Sequence, residues 1–447
     1  MRLKKYHEKK NKNMYLLLFT LLSILLVAGV LFYRSYALYE EVKDFDVIKG
    51  TVEDPGDIYF AYYVDNIITR EIPKKGTGYT LDKEKSNCTN GITVDWNQDS
   101  WSSLLNYEKY SATNYTRTRC NLYFTKNNIT AVEKITELVK SDTTNLTTDE
   151  VGNIRYIGKN PNNYVRVDGE LWRIIGVMKD IDDGTGTKRD RVKLIRSEPI
   201  GNYSWYTSEK SINNGFGINE WSKSHLMKLL NEGYETESVD GSLYWNNTSG
   251  TCYIGDGNAT RPCDFSNNGI KTTLKSLIDN VVWNTGSQGT NTSLLAKDFY
   301  TYERSSNNGK ICSSSDSCND TVTRTTLWTG KVGLMYPSDY GYATGGGSTT
   351  SRATCLNTDL SNWGSYSDCY NNNWIFLYLI NSWQLTLTPK ALSDAAFHVF
   401  VVNGTGAVWR AVASSANIVR PVVYLKNNVK ISGGAGSSSN PFVLLGN

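Results

Sequence analysis

The sequence predicts an α+β protein held by one N-terminal transmembrane helix. A small antiparallel β-module follows, then a larger α+β domain with two helices and disulfide-clipped loops. Three observations predict it. An uncharged, mostly apolar run covers residues 14–33, and all eight cysteines stand after that run. Beyond it, short segments of alternating or β-branched character outnumber the stretches that carry a helical stripe.

The apolar run (MYLLLFTLLSILLVAGVLFY) is long enough, at about 1.5 Å rise per residue, to span the roughly 30 Å hydrocarbon core of a bilayer. Helix is the form expected for a single span, because every backbone N–H and C=O must be satisfied within the segment. Residues 1–13 carry Arg2, Lys4, Lys5, Lys9, Lys10 and Lys12, whereas Arg34 after the run is soon followed by Glu40, Glu41, Asp44 and Asp46. The positive-inside rule therefore places the short tail in the cytoplasm and the rest of the chain outside the cell membrane. A cleaved signal peptide is the competing reading, with Ser35-Tyr36-Ala37 as its site. Its apolar core would be shorter, and Arg34 argues against cleavage there. With a formal net charge of +3, partly owed to the basic tail, the chain offers no electrostatic case for nucleic acid.

The cysteines fall into neighbouring pairs: Cys88 and Cys120, Cys252 and Cys263, Cys312 and Cys318, Cys355 and Cys369. An even count in an exported chain reads as disulfides. Sequence does not fix connectivity, but nearest-neighbour pairing closes four loops without crossings. Zinc is disfavoured: no C-x-x-C occurs, and His7, His225 and His398 do not stand at ligand spacing from a cysteine pair.

The small β-module is placed at residues 51–126. Residues 57–64 (DIYFAYYV) make a strand candidate, Asn90-Gly91 a turn, residues 92–96 (ITVDW) an alternating strand, and residues 121–125 (NLYFT) the closing strand. Residues 127–150 read as a helix and linker. Thr130 and Glu133 form a capping box, with Val132, Ile135, Leu138 and Val139 on one face. The helix is expected either to dock on one module or to act as a spacer.

The larger domain covers residues 151–447. Strands are expected at 164–167, 171–177 and 192–195, with a hairpin loop at 180–184. Helices are expected at 218–231 and 270–281, from the stripes Ile218, Trp221, Leu226, Leu229, Leu230 and Ile270, Leu274, Leu277, Ile278, Val281. Residues 312–373 turn to Ser, Thr, Gly, Asn and Tyr, the composition of long loops. Strands return at 397–402, 407–412 and 421–425.

Three strings in this domain, YVRVDGELWRIIG at 164–176, the helix opening with NEWS at 219–222, and IVRPVVYL at 418–425 followed by NPFVL at 440–444, resemble a family of bacterial surface-protein domains of unknown function found in Firmicutes. The resemblance covers most of residues 151–447 in order. It implies a fold similar to the C-type lectin-like fold and carries over no catalytic residue. The E-P-N or Q-P-D and W-N-D motifs of calcium-dependent sugar binding are not visible in this sequence, which removes that mode of recognition from what the resemblance implies.

Catalytic patterns are sparse. Residues 345–348 (GGGS) fail the G-x-S-x-G pattern, no H-E-x-x-H occurs, and residues 184–188 (GTGTK) are too short for a phosphate loop. His225 and His398 read as packing or strand residues. The carboxylate pairs Asp182 with Asp183, and Glu303 near Asp298, are the arrangements a glycosidase would use. The 180–184 loop misses the EF-hand pattern. No cofactor is implied.

The chain holds 12 Trp and 29 Tyr, and aromatic rings on Asn-, Ser- and Gly-rich loops suit adaptable recognition. Trp363, Tyr366 and Tyr370, in and around the 355–369 loop, are the first surface candidates for ligand contact, with Tyr336, Tyr340 and Tyr342 next. The competing reading is that these rings fill a core. The sequence thus leads to a non-enzymatic, membrane-anchored surface protein that binds an extracellular glycan or protein. The alternatives are a cell-envelope hydrolase using paired carboxylates and a structural envelope component.

Overall fold

The computed structural model describes residues 58–75, 79–97, 100–111, 117–126, 129–286, 294–305, 322–376, 383–390 and 396–446. The basic tail, the apolar run at 14–33, and Cys312 with Cys318 lie outside the described residues. Among the described residues, no helix is long and apolar enough to cross a membrane. Strand outweighs helix, and the class is α+β with disulfides. The chain divides into two compact units, with one boundary between Phe124 and Thr125.

In the smaller unit, Ile58–Val64 pairs in parallel with Thr118–Lys126, from Ile58 opposite Thr118 to Val64 opposite Phe124. The expectation of an antiparallel module is corrected: the sheet is mixed. A parallel pair needs a long crossover, and the intervening chain supplies it. Ile67–Thr69 adds antiparallel to the first strand, and Asn87–Cys88 adds antiparallel to the last. Cys88 and Cys120 are direct partners across that ladder and are joined by a disulfide. Thr93–Asn97 and Ser102–Asn106 form a hairpin. Its Trp96 meets Phe124 edge-on at 5.3 Å and Trp101 at 5.0 Å. This aromatic cluster, with Cys120 and Phe124 fully buried, gives a small unit a core it could not build from aliphatic residues alone.

The larger unit begins before the expected boundary. The helix Ala131–Leu138 opens with the capping box read from the sequence: Glu133 N–H donates to Thr130 Oγ1 at 3.2 Å, and Thr130 N–H donates to Glu133 Oε2 at 2.8 Å. It is no spacer. Ala131 N–H donates to Val429 O at 2.8 Å, Thr130 bridges Lys430, and Ile135 is fully buried. The polar stretch after it is not a linker either, because Leu146–Thr148 pairs with Ile154–Tyr156 at the edge of the main sheet.

That main sheet has nine strands and centres on the hairpin of Glu170–Asp182 with Lys188–Arg196. The near-continuous apolar run Trp172 to Met178 is buried throughout, as a strand covered on both faces must be. Gly176 sits where the ladder shifts register, and a Cβ there would meet Ile154 O at 1.9 Å, so only glycine fits. The expected loop at 180–184 is the turn of this hairpin.

A second sheet of five strands runs in the order Gly201–Tyr203, Asn417–Val419, Gln384–Lys390, His398–Val402, Val408–Val412. Val408–Val412 is therefore an edge strand. Trp205 and Trp221, both fully buried with ring centroids 5.3 Å apart, belong to the continuous core.

Both expected helices are shorter than their stripes. Residues 218–231 resolve into a 3₁₀ turn, Trp221–Lys223, and a helix, His225–Leu230. Ser224 is extended between them, and its hydroxyl accepts from Met227 N–H at 3.1 Å, restarting the chain with a new cap. The second helix is Thr272–Leu277. Ile278 turns extended and Val281 begins the strand Val281–Asn284. All five stripe residues are buried, but a short apolar run satisfies either form.

Candidate ligand-binding groove

The 3₁₀ segment Leu360–Ser365 lies inside the loop closed by the Cys355–Cys369 disulfide. Trp363 roots it. The ring is fully buried, and its indole N–H donates to Cys355 O at 3.2 Å and Thr358 O at 3.3 Å. Burying Trp363 turns its neighbours Ser361, Asn362, Gly364 and Ser365 outward, where they form one wall of an open groove of about 360 Å³.

The facing wall is the turn between His398–Val402 and Val408–Val412. Asn403 Oδ1 accepts from Thr405 N–H (3.0 Å), Thr405 Oγ1–H (2.8 Å) and Ala407 N–H (3.0 Å), which fixes the turn from within. Tyr340 O–H reaches across the core to donate to Gly406 O at 2.7 Å. Gly406 has φ +81°, and a Cβ there would meet the Tyr370 side chain at 2.4 Å, so the close approach also demands glycine.

Two tryptophans complete the groove. Trp409 stands on the edge strand with 43 % of its surface exposed, and partly buried Trp383 precedes the strand Gln384–Lys390. The backbone holds Trp383 in place through Ile418 N–H, which donates to its carbonyl at 2.8 Å. The hydroxyls of Ser361 and Ser365 and the amide of Asn362 make no side-chain hydrogen bond to the described residues. Asn403 spends its oxygen on the turn and keeps its two N–H donors. Among the described residues, none that lines the groove is ionisable. Chemically the described lining offers flat aromatic faces and uncharged donors and acceptors.

The sequence-expected contact residues separate here. Trp363, Tyr336, Tyr340 and Tyr342 are all at most 2 % exposed, so for these four the expectation of surface contact is corrected. They are the scaffold behind the groove and beside it. Tyr370 is half-buried against Phe376 and Gly406, and Tyr366 is 38 % exposed but does not line the groove. Trp383, Trp409, Asn362 and Asn403 were missed. The adjacent Trp409-Arg410 within Val408–Val412 was the signal in the sequence, since a strand buried on both faces seldom carries that pair.

Behind the scaffold lies a buried ionic cluster. Arg155 donates to Asp149 (2.9 Å) and Asp339 (2.8 Å), and Lys193 Nζ donates to the other Asp339 oxygen at 2.5 Å. Tyr336 N–H donates to that same oxygen at 3.0 Å. The Lys193 ammonium lies 4.2, 5.4 and 5.7 Å from the ring centroids of Tyr336, Tyr424 and Trp283. Arg155 sits 4.9 Å from Tyr342. Burial pulls the ammonium of Lys193 down to about 8 against the attraction of Asp339. The two cations beside Asp339 outweigh its own burial and hold its carboxyl below the usual range. Each charge is matched, and all lie at most 2 % exposed, the arrangement of a structural network.

The expected carboxylate pairs do not converge. Glu303 is fully buried and accepts from Ser338 N–H (3.1 Å) and Ser338 Oγ–H (2.6 Å), with burial pushing it up to about 7. Asp298, five residues earlier on the helix Ala296–Glu303, caps that helix by accepting from Leu295 N–H at 3.1 Å. Asp182 and Asp183 accept backbone N–H groups of their own hairpin turn. His225 is stacked between Tyr206 (4.7 Å) and Tyr253 (4.1 Å). Its Nδ1 accepts from Thr207 N–H at 3.3 Å, and burial with nearby Lys228 lowers it to about 4. Among the described residues, no group of three or more His, Cys, Asp or Glu side chains is placed to hold a metal ion. Compared with protein-family models, curated proteins and solved structures, the chain matches none.

Proposed function

We propose that the protein is a membrane-anchored, surface-displayed binding module, in which the larger unit is a lectin-like head that takes an extracellular ligand. The basic tail and apolar run supply the anchor and orientation. The single observation that carries the binding role is the groove: among the described residues, two tryptophans, hydroxyls and amides without a side-chain partner, and no ionisable lining residue, braced by a disulfide and a buried tryptophan. Exposed aromatic surface of this kind on a rigid frame marks recognition. The lack of an acid or base in the groove favours binding over hydrolysis.

The test presents the full chain, in detergent, to a panel of host glycans, matrix proteins and cell-wall fragments, alongside Trp409→Ala. At least one class should bind, and the variant should weaken it about tenfold, the effect of removing one stacking ring worth roughly 1–2 kcal/mol. No binding to any class, or binding that Trp409→Ala leaves unchanged, would overturn the assignment of the groove.

A further inference from the structure

We infer that the groove binds an uncharged glycan, one or two sugar rings of it, without a metal ion; this rests on the groove being the ligand site as proposed above. The argument begins from what a pyranose ring presents. One face is a patch of C–H groups carrying weak positive charge, and its rim is a ring of hydroxyls, each both donor and acceptor. An aromatic face carries negative quadrupole charge and attracts such a C–H patch, while its flatness excludes water from it. Trp409 and Trp383 supply two such faces to one groove.

The hydroxyl rim needs partners that both donate and accept. Ser361, Ser365 and Asn362 do so, and none of the three hydrogen-bonds to another side chain among the described residues. The two N–H donors of Asn403 are oriented by its oxygen, which the turn holds with three bonds. Orientation fixed before binding lowers the entropy lost on binding.

Charge excludes the neighbouring classes. A carboxylated or sulfated ligand would leave its anion against amides and hydroxyls with no cation among the described lining residues, a costly burial. Arg410, the nearest cation in sequence, follows Trp409 on a strand and so points to the opposite face. Calcium-bridged recognition needs carboxylate oxygens, and the lining has none among the described residues. Away from the two tryptophans and Ala407 the described walls are hydroxyl and amide, which suit a hydroxyl-bearing ligand. The volume of about 360 Å³ falls at the lower end of small-ligand sites, roughly 300–1,000 Å³, and fits one or two rings rather than a long chain.

The full chain in detergent is titrated with neutral di- and trisaccharides of glucose, galactose and N-acetylglucosamine, with their sialylated and sulfated counterparts, and with a mixed peptide library. Each titration is run with and without EDTA and read by tryptophan fluorescence and saturation-transfer NMR. Trp409→Ala and Asn362→Ala, both exposed positions, are run in parallel, with circular dichroism to confirm the fold. Binding of a neutral sugar that EDTA does not change, and that each variant weakens at least tenfold, is the expected result. Binding confined to charged glycans or peptides and lost in Trp409→Ala would overturn the glycan assignment while leaving the groove as the ligand site. Sugar binding abolished by EDTA would overturn the metal-free mode. Binding unaffected by either variant would overturn both this inference and the groove itself.

Discussion

Asp339 collects three donors at its two oxygens: Arg155, Lys193 and the backbone N–H of Tyr336. Replacing it with asparagine leaves buried Lys193 without its anion and Arg155 with Asp149 alone. The expected loss is about 3–5 kcal/mol, the usual cost of breaking a buried pair, read as a fall in the urea midpoint of the full chain. A change under about 1 kcal/mol would show that water reaches the cluster and solvates the cations. Glu303 behaves in the opposite way. Burial raises its carboxyl from an ordinary 4.5 to about 7, so the native state keeps a proton that the unfolded chain has released over that interval. Where the native state binds more protons, stability falls as pH rises; below about 4.5 and above about 7 this group contributes no slope. Glu303→Gln removes the effect. The stability difference, variant minus parent, is therefore expected to grow by about 3 kcal/mol between pH 4.5 and 7. His225, lowered to about 4, titrates partly in the same window with the opposite sign, but it is common to both proteins and cancels in the difference. A difference flat with pH would place Glu303 in contact with water.

The 355–369 loop illustrates what elements contribute beyond their residues. It holds two short helices, Arg352–Leu356 and Ser367–Asn371, flanking the 3₁₀ segment, and none of these would persist alone. The disulfide between Cys355 and Cys369, both fully buried, ties the ends. Replacing both with serine should cost roughly 3 kcal/mol, as expected for a loop of about 15 residues. It should also weaken ligand binding more than the distant pair Cys252–Cys263 does when replaced likewise, because only the first braces a groove wall. Equal effects on affinity would remove the loop from the site. Much of this architecture was legible. The strands at 164–167, 171–177, 192–195 and 397–402 announced themselves by β-branched runs, and the capping box at Thr130 by its spacing. The parallel pairing of Ile58–Val64 with Thr118–Lys126 was not legible, since pairing direction depends on which strands meet and leaves no mark on either. The groove was half legible: composition pointed to the 355–369 loop, but chose Trp363, its root, over the outward Ser361 and Asn362. In a 3₁₀ turn, which face is buried is settled by the strand it packs on, and the sequence of the turn does not carry that information.

For the whole molecule, two lines of physical chemistry bear on one question, the side of the membrane on which the chain folds. The first is the charge asymmetry about the apolar run at 14–33, from which the positive-inside rule predicts a cytoplasmic basic tail. The second is independent of it: Cys88–Cys120, Cys252–Cys263 and Cys355–Cys369 are all paired, and among the described residues no cysteine is free. Bridges of this kind form and persist in oxidising compartments and are rare where glutathione keeps thiols reduced. Both lines support the proposal that the two compact units lie outside the cytoplasm, and they come from unrelated properties, charge asymmetry about an apolar run on one side and redox poise on the other. If that is their true side, a C-terminally tagged chain on intact cells should lose its tag to added protease, and an N-terminal tag should survive until the membrane is opened. Alkylation without reduction should leave those six cysteines unmodified in protein taken from the same cells. A protected C-terminal tag with reactive thiols would reverse the orientation, and with it the premise that the groove faces an extracellular ligand.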